Sequence, residues 1–375
     1  MNICFYTITA INPLIGGVER VTFNLQKYFE QNGFQVFFFH LRGKEDSHHF
    51  ILPNPDCTTK EQIISFINDR IAQYDIDIII DQYGNEFLSH KYISNHVKII
   101  RCEHLNIMEN KIISCLLGTF SFRELRKSIM NCLFLLNTPL RRFKQRYHYT
   151  FINKYIDQFI VLSDTYIPRL VNKGISRNKI TAIPNSVNII DNYEYQKDNL
   201  IIYCGRLVHN PKNILFLPKV WKHLSKLFPN WTMAIIGDGI DRGILEKKIK
   251  KYRLERIFIT GYTNPDQYYA RAKIILQPSF NEGFGMVLAE AMLRKCVPIT
   301  FNATTAYSDI IQDNESGYII SKYNEAAFIN KCVHLMSDED ERTRMSDIGY
   351  NHICAHFNME HIGRKWIQLF NNITK

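Results

Sequence analysis

Two glutamates eight residues apart stand at either end of a glycine-rich segment that leads into an apolar helical pattern. The segment runs from Phe280 to Met292, and the two acidic residues are Glu282 and Glu290. Carboxylates accept hydrogen bonds from hydroxyl groups, whereas the unpaired N–H groups and the dipole at the start of a helix attract an anion. The pattern therefore predicts a ligand with hydroxyl groups on both sides of a phosphate or diphosphate.

The apolar run before this segment makes the prediction more specific. Ile274-Ile275-Leu276 is typical of a buried parallel strand, so Glu282 falls on the loop at its carboxyl end, where open α/β sheets bind ligands. If residues 282–290 were all helical, the two glutamates would lie about 12 Å apart. Two glutamates at this spacing also arise by chance, and it is the glycines and the strand that favour a ligand. The N–H groups expected to face the anion belong to Gly285, Met286 and Val287.

A second group of charged residues follows another apolar run. Residues 200–204 are predicted to form a strand, with Gly205 and Arg206 directly after it and Lys212 further along. A glycine lets the backbone approach a ligand, and two cations suit two phosphates. The same two cations would be unremarkable as a solvent-exposed pair, so phosphate binding here depends on the glutamate segment.

Strands and helices alternate along the chain and must position these residues. The opening predicts a βαβ unit, with a strand over 3–9, a glycine loop, a helix to about residue 31 and a strand over 34–39. Further strands are predicted over 76–80, 97–102, 158–162, 180–183, 200–204, 231–236, 256–260 and 273–276, and helices over 166–173, 215–228, 241–252, 266–272 and 360–371. The alternation indicates an α/β protein with two Rossmann-like halves.

The length of the chain indicates two domains. A chain of 375 residues exceeds what one hydrophobic core usually fills. The polar segment 191–198 separates the two series of elements, which predicts an N-terminal Rossmann-like domain over 1–190 and a second one over 191–357. The last helix, within 358–375, could pack back on the first domain.

The composition is that of an ordinary soluble globular protein, with 46% hydrophobic and 22% charged residues. The apolar start lacks the basic residues of a signal peptide, and no run reaches the roughly 18 apolar residues of a membrane span, so a cytoplasmic location is expected. The nine cysteines show no C-x-x-C spacing. They are expected to be reduced core residues rather than disulfides or zinc ligands.

The net charge of +10 is concentrated in part of the chain. Residues 111–150 carry 8 Lys and Arg against 1 acidic residue, interleaved with apolar side chains. Such a mixture favours a peripheral surface for anionic lipid headgroups, and a solvated basic face over a core helix explains it equally well. No nucleic-acid-binding motif accompanies the charge, so nucleic acid is not expected as a partner.

Several motifs occur in an order and spacing that resemble a known family. In the C-terminal half they are Ile183-Pro184-Asn185-Ser186-Val187, Gly205-Arg206-Leu207 with Lys212, Ile236-Gly237-Asp238-Gly239, Gly261-Tyr262, Asn281-Glu282-Gly283-Phe284-Gly285 with Glu290-Ala291-Met292, and Asn314-Glu315-Ser316-Gly317-Tyr318. In the N-terminal half they are Gly16-Gly17-Val18-Glu19-Arg20 and Cys102-Glu103-His104. Together they resemble the retaining glycosyltransferases of family 4.

The resemblance implies the GT-B fold, in which two Rossmann-like domains enclose an interdomain cleft. It implies a metal-independent retaining glycosyltransferase of the hexosyltransferase type, which moves a sugar from a UDP- or GDP-sugar to a hydroxyl acceptor without any other cofactor. Because the basic segment 111–150 falls in the domain that usually holds the acceptor, we expect a lipid-linked or cell-surface glycan at the inner face of a membrane. Polysaccharide biosynthesis is the process that such an enzyme serves.

The resemblance also implies a role for each matching residue. Arg206 and Lys212 would clamp the diphosphate, Glu282 would bind hydroxyls of the donor sugar, and Glu290 those of the ribose. His104 is a candidate contact beside the reacting sugar, although a histidine at a strand end is as often a structural hydrogen-bonding residue. The other implied donor-site residues are Gly16, Gly17, Gly205, Tyr262, Gly283, Phe284, Gly285, Met286 and Val287.

The sequence departs from the family pattern at two turns. Ser186 stands where the family usually has glycine, and Asn213 follows Lys212 where glycine is common, with residues 209–211 lengthening that loop. Two other functions remain as alternatives: a nucleotide-sugar epimerase of the same architecture and a partner subunit that binds a nucleotide sugar without catalysis. A Rossmann dehydrogenase is disfavoured because the first loop lacks G-x-G-x-x-G.

Overall fold

The computed structural model describes residues 1–12, 16–54, 57–104, 138–189 and 196–374, with residues 138–145 as backbone only. Within them the chain divides into two compact units. The first comprises Met1–Asn12, Phe29–Ala182 and Gln368–Lys375, and the second Pro13–Tyr28 and Ile183–Ile367. Both units are α/β, as the sequence predicts.

The first unit contains a seven-stranded, fully parallel sheet with the order β3-β2-β1-β4-β5-β6-β7. Its strands are β1 Asn2–Thr9, β2 Gln35–Arg42, β3 His49–Ile51, β4 Ile76–Asp81, β5 Lys98–Cys102, β6 Gln158–Val161 and β7 Ile180–Ala182. The helices of this part of the sequence are α1 Gly17–Gln31, α2 Lys60–Gln73, α3 Thr138–Tyr155 and α4 Ile167–Asn172. The reversal of strand order falls between β1 and β4, whose carboxyl ends therefore border a ligand-binding crevice in folds of this type.

The second unit repeats the same plan with a six-stranded parallel sheet of order β10-β9-β8-β11-β12-β13. Its strands are β8 Leu200–Cys204, β9 Thr232–Ile236, β10 Ile257–Gly261, β11 Ile274–Gln277, β12 Val297–Phe301 and β13 Tyr318–Ile320. The helices of this part of the sequence are α5 His209–Lys212, α6 Leu217–Leu227, α7 Arg242–Lys251, α8 Asp266–Arg271, α9 Met286–Met292, α10 Tyr307–Ile310, α11 Glu325–Ser337, α12 Glu339–His356 and α13 Met359–Ile373, the last of which runs from the second unit into the first. Here the order reverses between β8 and β11.

Strand composition explains the sheets. The central strands are apolar on both faces, and all five residues of β8 are buried, because helices cover both sides of a parallel sheet. Helix α6 turns Leu217, Val220, Trp221 and Leu224 inward, a spacing that aligns one helix face with the sheet. Trp221 is fully buried, and its indole N–H donates to the Glu255 carbonyl at 2.8 Å.

The predicted α/β architecture with two Rossmann-like halves is confirmed, and most predicted elements differ from the observed ones by one or two residues. The sequence reasoning did not identify β3, β12 and β13, and it named neither α11 nor α12. Strands β3 and β13 have three residues each, too few for a periodicity, and Pro298 interrupts the pattern of β12. Part of the expected domain boundary, residues 190–195, lies outside the described residues.

A buried histidine pair in the first sheet predicts acid sensitivity. His40 is fully buried; its Nδ1 lies 2.7 Å from Thr7 Oγ1, and its Nε2 lies 2.7 Å from His49 Nδ1. Burial, reinforced by repulsion from His49, lowers the pKa of His40 to about 4. In the unfolded chain His40 is therefore protonated below about pH 6.5, whereas in the folded chain it stays neutral until the pH approaches 4. The free energy of unfolding therefore decreases as the pH falls through this interval.

We expect this residue to remove up to about 3 kcal/mol of unfolding free energy between pH 7 and pH 4.5. The His40→Gln variant, though less stable at pH 7, should show a shallower decline over the same range. Urea unfolding at several pH values measures both slopes. Parallel curves for the two proteins would contradict the assignment.

Candidate active site

The predicted charged residues of the second half meet where the strand order reverses. Strand β8 leads into Gly205 and Arg206, and its neighbour β11 leads into the loop that carries Glu282. The carboxyl ends of adjacent parallel strands lie at one edge of the sheet, which is where folds of this type bind their ligands. Two motifs that are about 70 residues apart in sequence are thus brought to one place.

Lys212 and Glu282 form the centre of this site. The Lys212 Nζ lies 2.6 Å from Glu282 Oε1 and 2.8 Å from Oε2. Both side chains are largely buried, with 23% of Lys212 and 12% of Glu282 exposed. The cation expected at the diphosphate and the carboxylate expected at the sugar are therefore in direct contact.

Two polar residues that sequence reasoning missed fix the Glu282 carboxylate. Gln277 Nε2 donates to Glu282 Oε1 at 2.8 Å, and the Ser279 hydroxyl donates to the same oxygen at 2.7 Å. Because Oε1 already receives these bonds, Oε2 is the oxygen with more remaining lone-pair capacity. In the sequence these two residues are simply polar residues at the end of the apolar run 274–276, and only the structure shows that they are buried, with Gln277 2% exposed and Ser279 0%.

Close glycine packing holds the loop after β8 against the loop after β9. Gly237 has a φ of +133°, and a side chain there would overlap the Gly205 carbonyl oxygen. A Cβ on Gly239 would lie 2.5 Å from the Leu207 carbonyl oxygen. The loops are joined by a hydrogen bond from Leu207 N to Asp238 O at 2.8 Å. The Gly237-Asp238-Gly239 motif thus positions the backbone on both sides of Arg206.

Both departures from the family pattern are accommodated. Asn213 takes a left-handed conformation with φ +55°, which asparagine tolerates better than most residues. Ser186 is fully buried, its hydroxyl lies 3.2 Å from Met359 Sδ, and its φ is not positive. The loop containing Lys212 is tied to the glutamate loop by a hydrogen bond from Phe280 N to Pro211 O at 2.8 Å.

The glycine-rich entry ends in a short helix, α9. Helix α9 begins at Met286, so residues 282–285 are not helical and the 12 Å estimate for a continuous helix does not apply. Gly285 precedes the helix with φ +108°, and a Cβ there would lie 2.6 Å from a ring carbon of Tyr307. The first bonds to the Gly285 carbonyl come from Leu288 and Ala289, which places Met286 and Val287 in the first turn, as predicted.

Glu290 lies on α9 in the second unit, and its side chain is 17% exposed. Its Oε1 lies 2.5 Å from Arg20 Nη1, and its Oε2 accepts a hydrogen bond from the Tyr269 hydroxyl at 3.3 Å. Burial raises the pKa of the Glu290 carboxyl, and the Arg20 guanidinium opposes that rise. Arg20 and Tyr269 were not among the predicted site residues, although Arg20 belongs to the glycine-loop motif.

The remaining predicted residues of the second unit have varied surroundings. Arg206 is exposed, and no carboxylate within the described ranges lies at ion-pair distance from it. Tyr262 is 74% exposed directly after β10, at the same sheet edge as the other site loops. Phe284 is buried against Phe357, with ring centroids 5.8 Å apart, so its role in the loop is packing.

In the first unit, His104 follows β5 and contacts Gln82, which follows β4. His104 Nε2 lies 2.6 Å from the Gln82 amide oxygen, so this nitrogen carries the proton. Its Nδ1 is buried without a partner in the described residues. Burial lowers the pKa of His104 to about 4, so the ring is neutral at pH 7 and Nδ1 is an acceptor.

A buried ion pair is formed by Asp81, the residue directly before Gln82 in the chain. Asp81 Oδ2 accepts from Arg101 Nε at 3.0 Å, and both side chains are almost fully buried. Asp81 Oδ1 accepts from the backbone N–H groups of Tyr83 and Gly84, which fixes the turn after β4. Sequence reasoning found His104 but not these supporting residues.

The glycine loop opens α1, and Gly16 and Gly17 differ in their surroundings. A Cβ on Gly16 would overlap the Glu19 carboxylate, whereas a Cβ on Gly17 would have none of the described residues within 4 Å. Gly17 also has an ordinary φ. The described part of the structure therefore gives no packing reason for glycine at position 17.

Most of the basic segment lies outside the described residues. Residues 105–137 are not described, and for 138–145 only the helical backbone is given. Arg146, the last basic residue of the segment, is exposed. Among the helices described, none has the length and hydropathy to cross a bilayer. The described residues also include no cluster of three or more potential metal ligands.

Two doubly wound parallel sheets are the architecture of the GT-B fold. Residues 15–190 match the sequence model of Glycosyltransferase Family 4, and residues 188–352 match that of Glycosyl transferases group 1. The chain belongs to this glycosyltransferase family, and the resemblance of its motifs is confirmed.

The chain is similar to characterised bacterial glycosyltransferases. It is 26% identical over 350 residues to the GalNAc-alpha-(1->4)-GalNAc-alpha-(1->3)-diNAcBac-PP-undecaprenol alpha-1,4-N-acetyl-D-galactosaminyltransferase of Campylobacter jejuni, covering 83% of this chain and 94% of that protein. It is 28% identical to the poly(ribitol-phosphate) alpha-N-acetylglucosaminyltransferase of Staphylococcus aureus, over 58% of this chain and 44% of that one. The pneumococcal O-GlcNAc transferase GtfA, solved with UDP and GlcNAc, superposes with a TM-score of 0.75 at 15% identity, covering 100% and 99% of the two chains.

Proposed function

We propose that this protein transfers a hexose-type sugar from a UDP- or GDP-sugar to a hydroxyl group of a growing glycan, with retention of anomeric configuration and without a metal. The observation that carries the proposal is the Lys212–Glu282 pair at the switch point of the second sheet, held by Gln277 and Ser279. It combines a cation for a leaving diphosphate with an oriented carboxylate for sugar hydroxyls. The names of the two relatives support a glycan acceptor that carries phosphate groups.

In the proposed reaction, the bond between the sugar C1 and the diphosphate oxygen breaks, and its electron pair stays on the diphosphate. The acceptor oxygen forms a new bond to C1 on the same face, and the acceptor proton passes to the leaving phosphate. Lys212 and Arg206 stabilise the negative charge that develops on the leaving diphosphate, an effect that typically lowers the activation free energy by several kcal/mol. Glu282 Oε2 accepts hydroxyl hydrogen bonds that fix the sugar.

His104 is proposed as a polar contact to the sugar. His104 is neutral, and its Nδ1 is an acceptor whose orientation Gln82 fixes. A hydroxyl donor such as a sugar OH would satisfy this buried nitrogen. The wider proposal, that the enzyme works at the cytoplasmic face of a membrane, rests on the charge of residues 111–150 alone, and binding to anionic lipid vesicles tests it.

The proposed function is tested in two stages. A thermal-shift screen against UDP-, GDP- and ADP-sugars identifies the donor, because a ligand that binds only the folded state raises its apparent stability. The chosen donor is then incubated with and without lipid-linked glycan acceptors, in the presence of EDTA. Acceptor-dependent release of the nucleoside diphosphate supports transfer without a metal. An isomerised sugar in the donor-only arm would instead indicate an epimerase, and binding without turnover in either arm would indicate a non-catalytic subunit.

Gly17 offers a prediction that separates ligand binding from folding. Because no described residue lies within 4 Å of a Cβ at this position, Gly17→Ala should change the unfolding free energy by less than about 1 kcal/mol. If the donor phosphate approaches this backbone, the same methyl group should raise the donor KM about tenfold or more. Steady-state kinetics with varied donor measures this effect, and an unchanged KM would contradict it. The Gly243→Ala variant on α7, where a Cβ also meets nothing, is the matched control.

A further inference from the structure

The contact between Arg20 and Glu290 joins the glycine loop to the carboxylate expected at the ribose. Both residues belong to the second unit. Arg20 lies in the first turn of α1, and its backbone N–H donates to the Gly16 carbonyl at 3.1 Å. Its guanidinium lies 2.5 Å from Glu290, a residue 270 positions away. The pair therefore connects the first turn of α1 to α9.

The surroundings of Glu290 would disfavour an ionised carboxylate without Arg20. The Glu290 side chain is 17% exposed, whereas that of Arg20 is 35% exposed. The other neighbour of the carboxylate is Tyr269, a phenol with 1% exposure that supplies a hydrogen bond but no charge. Among the described residues, Arg20 is the cation at ion-pair distance from Glu290. Removing one member of a buried ion pair leaves the other charge uncompensated.

The geometry leaves the carboxylate able to accept further bonds. A carboxylate offers about four lone-pair sites, of which Arg20 and Tyr269 use one on each oxygen. One site on each oxygen remains for a pair of adjacent hydroxyl groups. The two protein donors thereby fix the plane of the carboxylate, because each holds a different oxygen.

We propose that Arg20 is a positioning residue for the nucleoside of the donor: it keeps Glu290 charged and oriented so that both oxygens accept from the two ribose hydroxyls. This inference rests on the proposed function and adds a residue to the donor site. It predicts a defect confined to ribose recognition. Arg20→Ala should weaken binding of a nucleoside diphosphate but matter little for the analogue that lacks both ribose hydroxyls.

Isothermal titration calorimetry with UDP or GDP, whichever binds, and its 2′,3′-dideoxy analogue tests the inference. For Arg20→Ala we expect about a tenfold loss with the ribonucleotide and less than twofold with the dideoxy analogue. Arg20→Lys should recover part of the loss, since lysine restores the charge without the planar fork. Once Glu290 is changed to Gln, the Arg20→Ala substitution should have little further effect. Arg344→Ala, which breaks a pair with Glu341 at 2.7 Å in which the arginine is about half exposed, is the matched control.

The outcomes are distinct. Equal losses with both ligands would overturn the inference, because Arg20 would then act on the phosphates or on the fold. Tighter ribonucleotide binding by Arg20→Ala would also overturn it, since Arg20 would then compete with the ribose. If Arg20→Ala does not fold, Arg20→Lys and Arg20→Gln carry the same comparison. Failure of the wild-type protein to bind any nucleoside diphosphate would overturn the proposed function itself, whereas normal binding without a ribose-specific defect would overturn only this inference.

Discussion

Lys212→Ala is expected to lower kcat/KM for sugar transfer by about 10²- to 10³-fold. The substitution removes a cation from the leaving diphosphate and simultaneously releases Glu282 from its bidentate contact. Gln277 and Ser279 still hold Oε1, but Oε2 loses the donor that the structure gives it. The Glu282 carboxylate would therefore lack a neighbouring cation and would be less firmly oriented towards the sugar.

The same substitution should reduce stability. Glu282 is only 12% exposed, so leaving its charge unpaired is expected to cost about 2–3 kcal/mol of unfolding free energy. Denaturant unfolding measures this cost, and release of the nucleoside diphosphate measures transfer. Lys219→Ala is the control, because it also breaks a lysine–glutamate pair, with Glu325 at 3.2 Å, but one in which both side chains are about half exposed. We expect that variant to change stability by less than about 1 kcal/mol and to keep normal activity.

A double variant separates the two effects. Lys212→Met combined with Glu282→Gln removes both charges, so most of the lost stability should return while transfer remains defective. Full activity in Lys212→Ala would show that this residue is not part of the donor site. Recovery of activity in the double variant would show that the single variant had failed through misfolding alone.

Gly237→Ala should give the largest loss of stability, about 3 kcal/mol or more. The residue combines φ +133°, which residues with a Cβ rarely adopt, with direct contact between backbones. A methyl group there would overlap the Gly205 carbonyl oxygen, and a backbone atom cannot move aside as a flexible side chain can. The loops after β8 and β9 would have to separate, which would also move Arg206.

Thermal unfolding provides the measurement. For a domain of this size we expect Tm to fall by about 6–12 °C. Gly243→Ala should instead be neutral or slightly stabilising, since that glycine lies in α7 with nothing near its missing Cβ. If Gly237→Ala unfolded at the wild-type temperature, the close packing of the two loops would not be a requirement of the fold.

Particular residues show how far the sequence could predict this site. Apart from Glu290, which lies within α9, the predicted donor-site residues of the C-terminal half lie in or beside loops at the carboxyl edge of the sheet, because the apolar runs that precede them are unambiguous strands. Gln277 and Ser279 could not be assigned, since they lie at the end of a strand pattern and only their burial reveals a role. Tyr269 and Gln82 were missed for a similar reason: their significance depends on which side chain they contact.

The order of strands in space decided the remaining features of the protein. Local patterns determined the two Rossmann-like halves, the glycine loops and the charged residues, because periodicity, glycine and proline act over a few neighbouring residues. The pairing of Lys212 with Glu282 and of Arg20 with Glu290 spans 70 and 270 positions, and no local pattern specifies it. Only the topology, which sets β8 beside β11 and the first turn of α1 beside α9, determines which charge meets which.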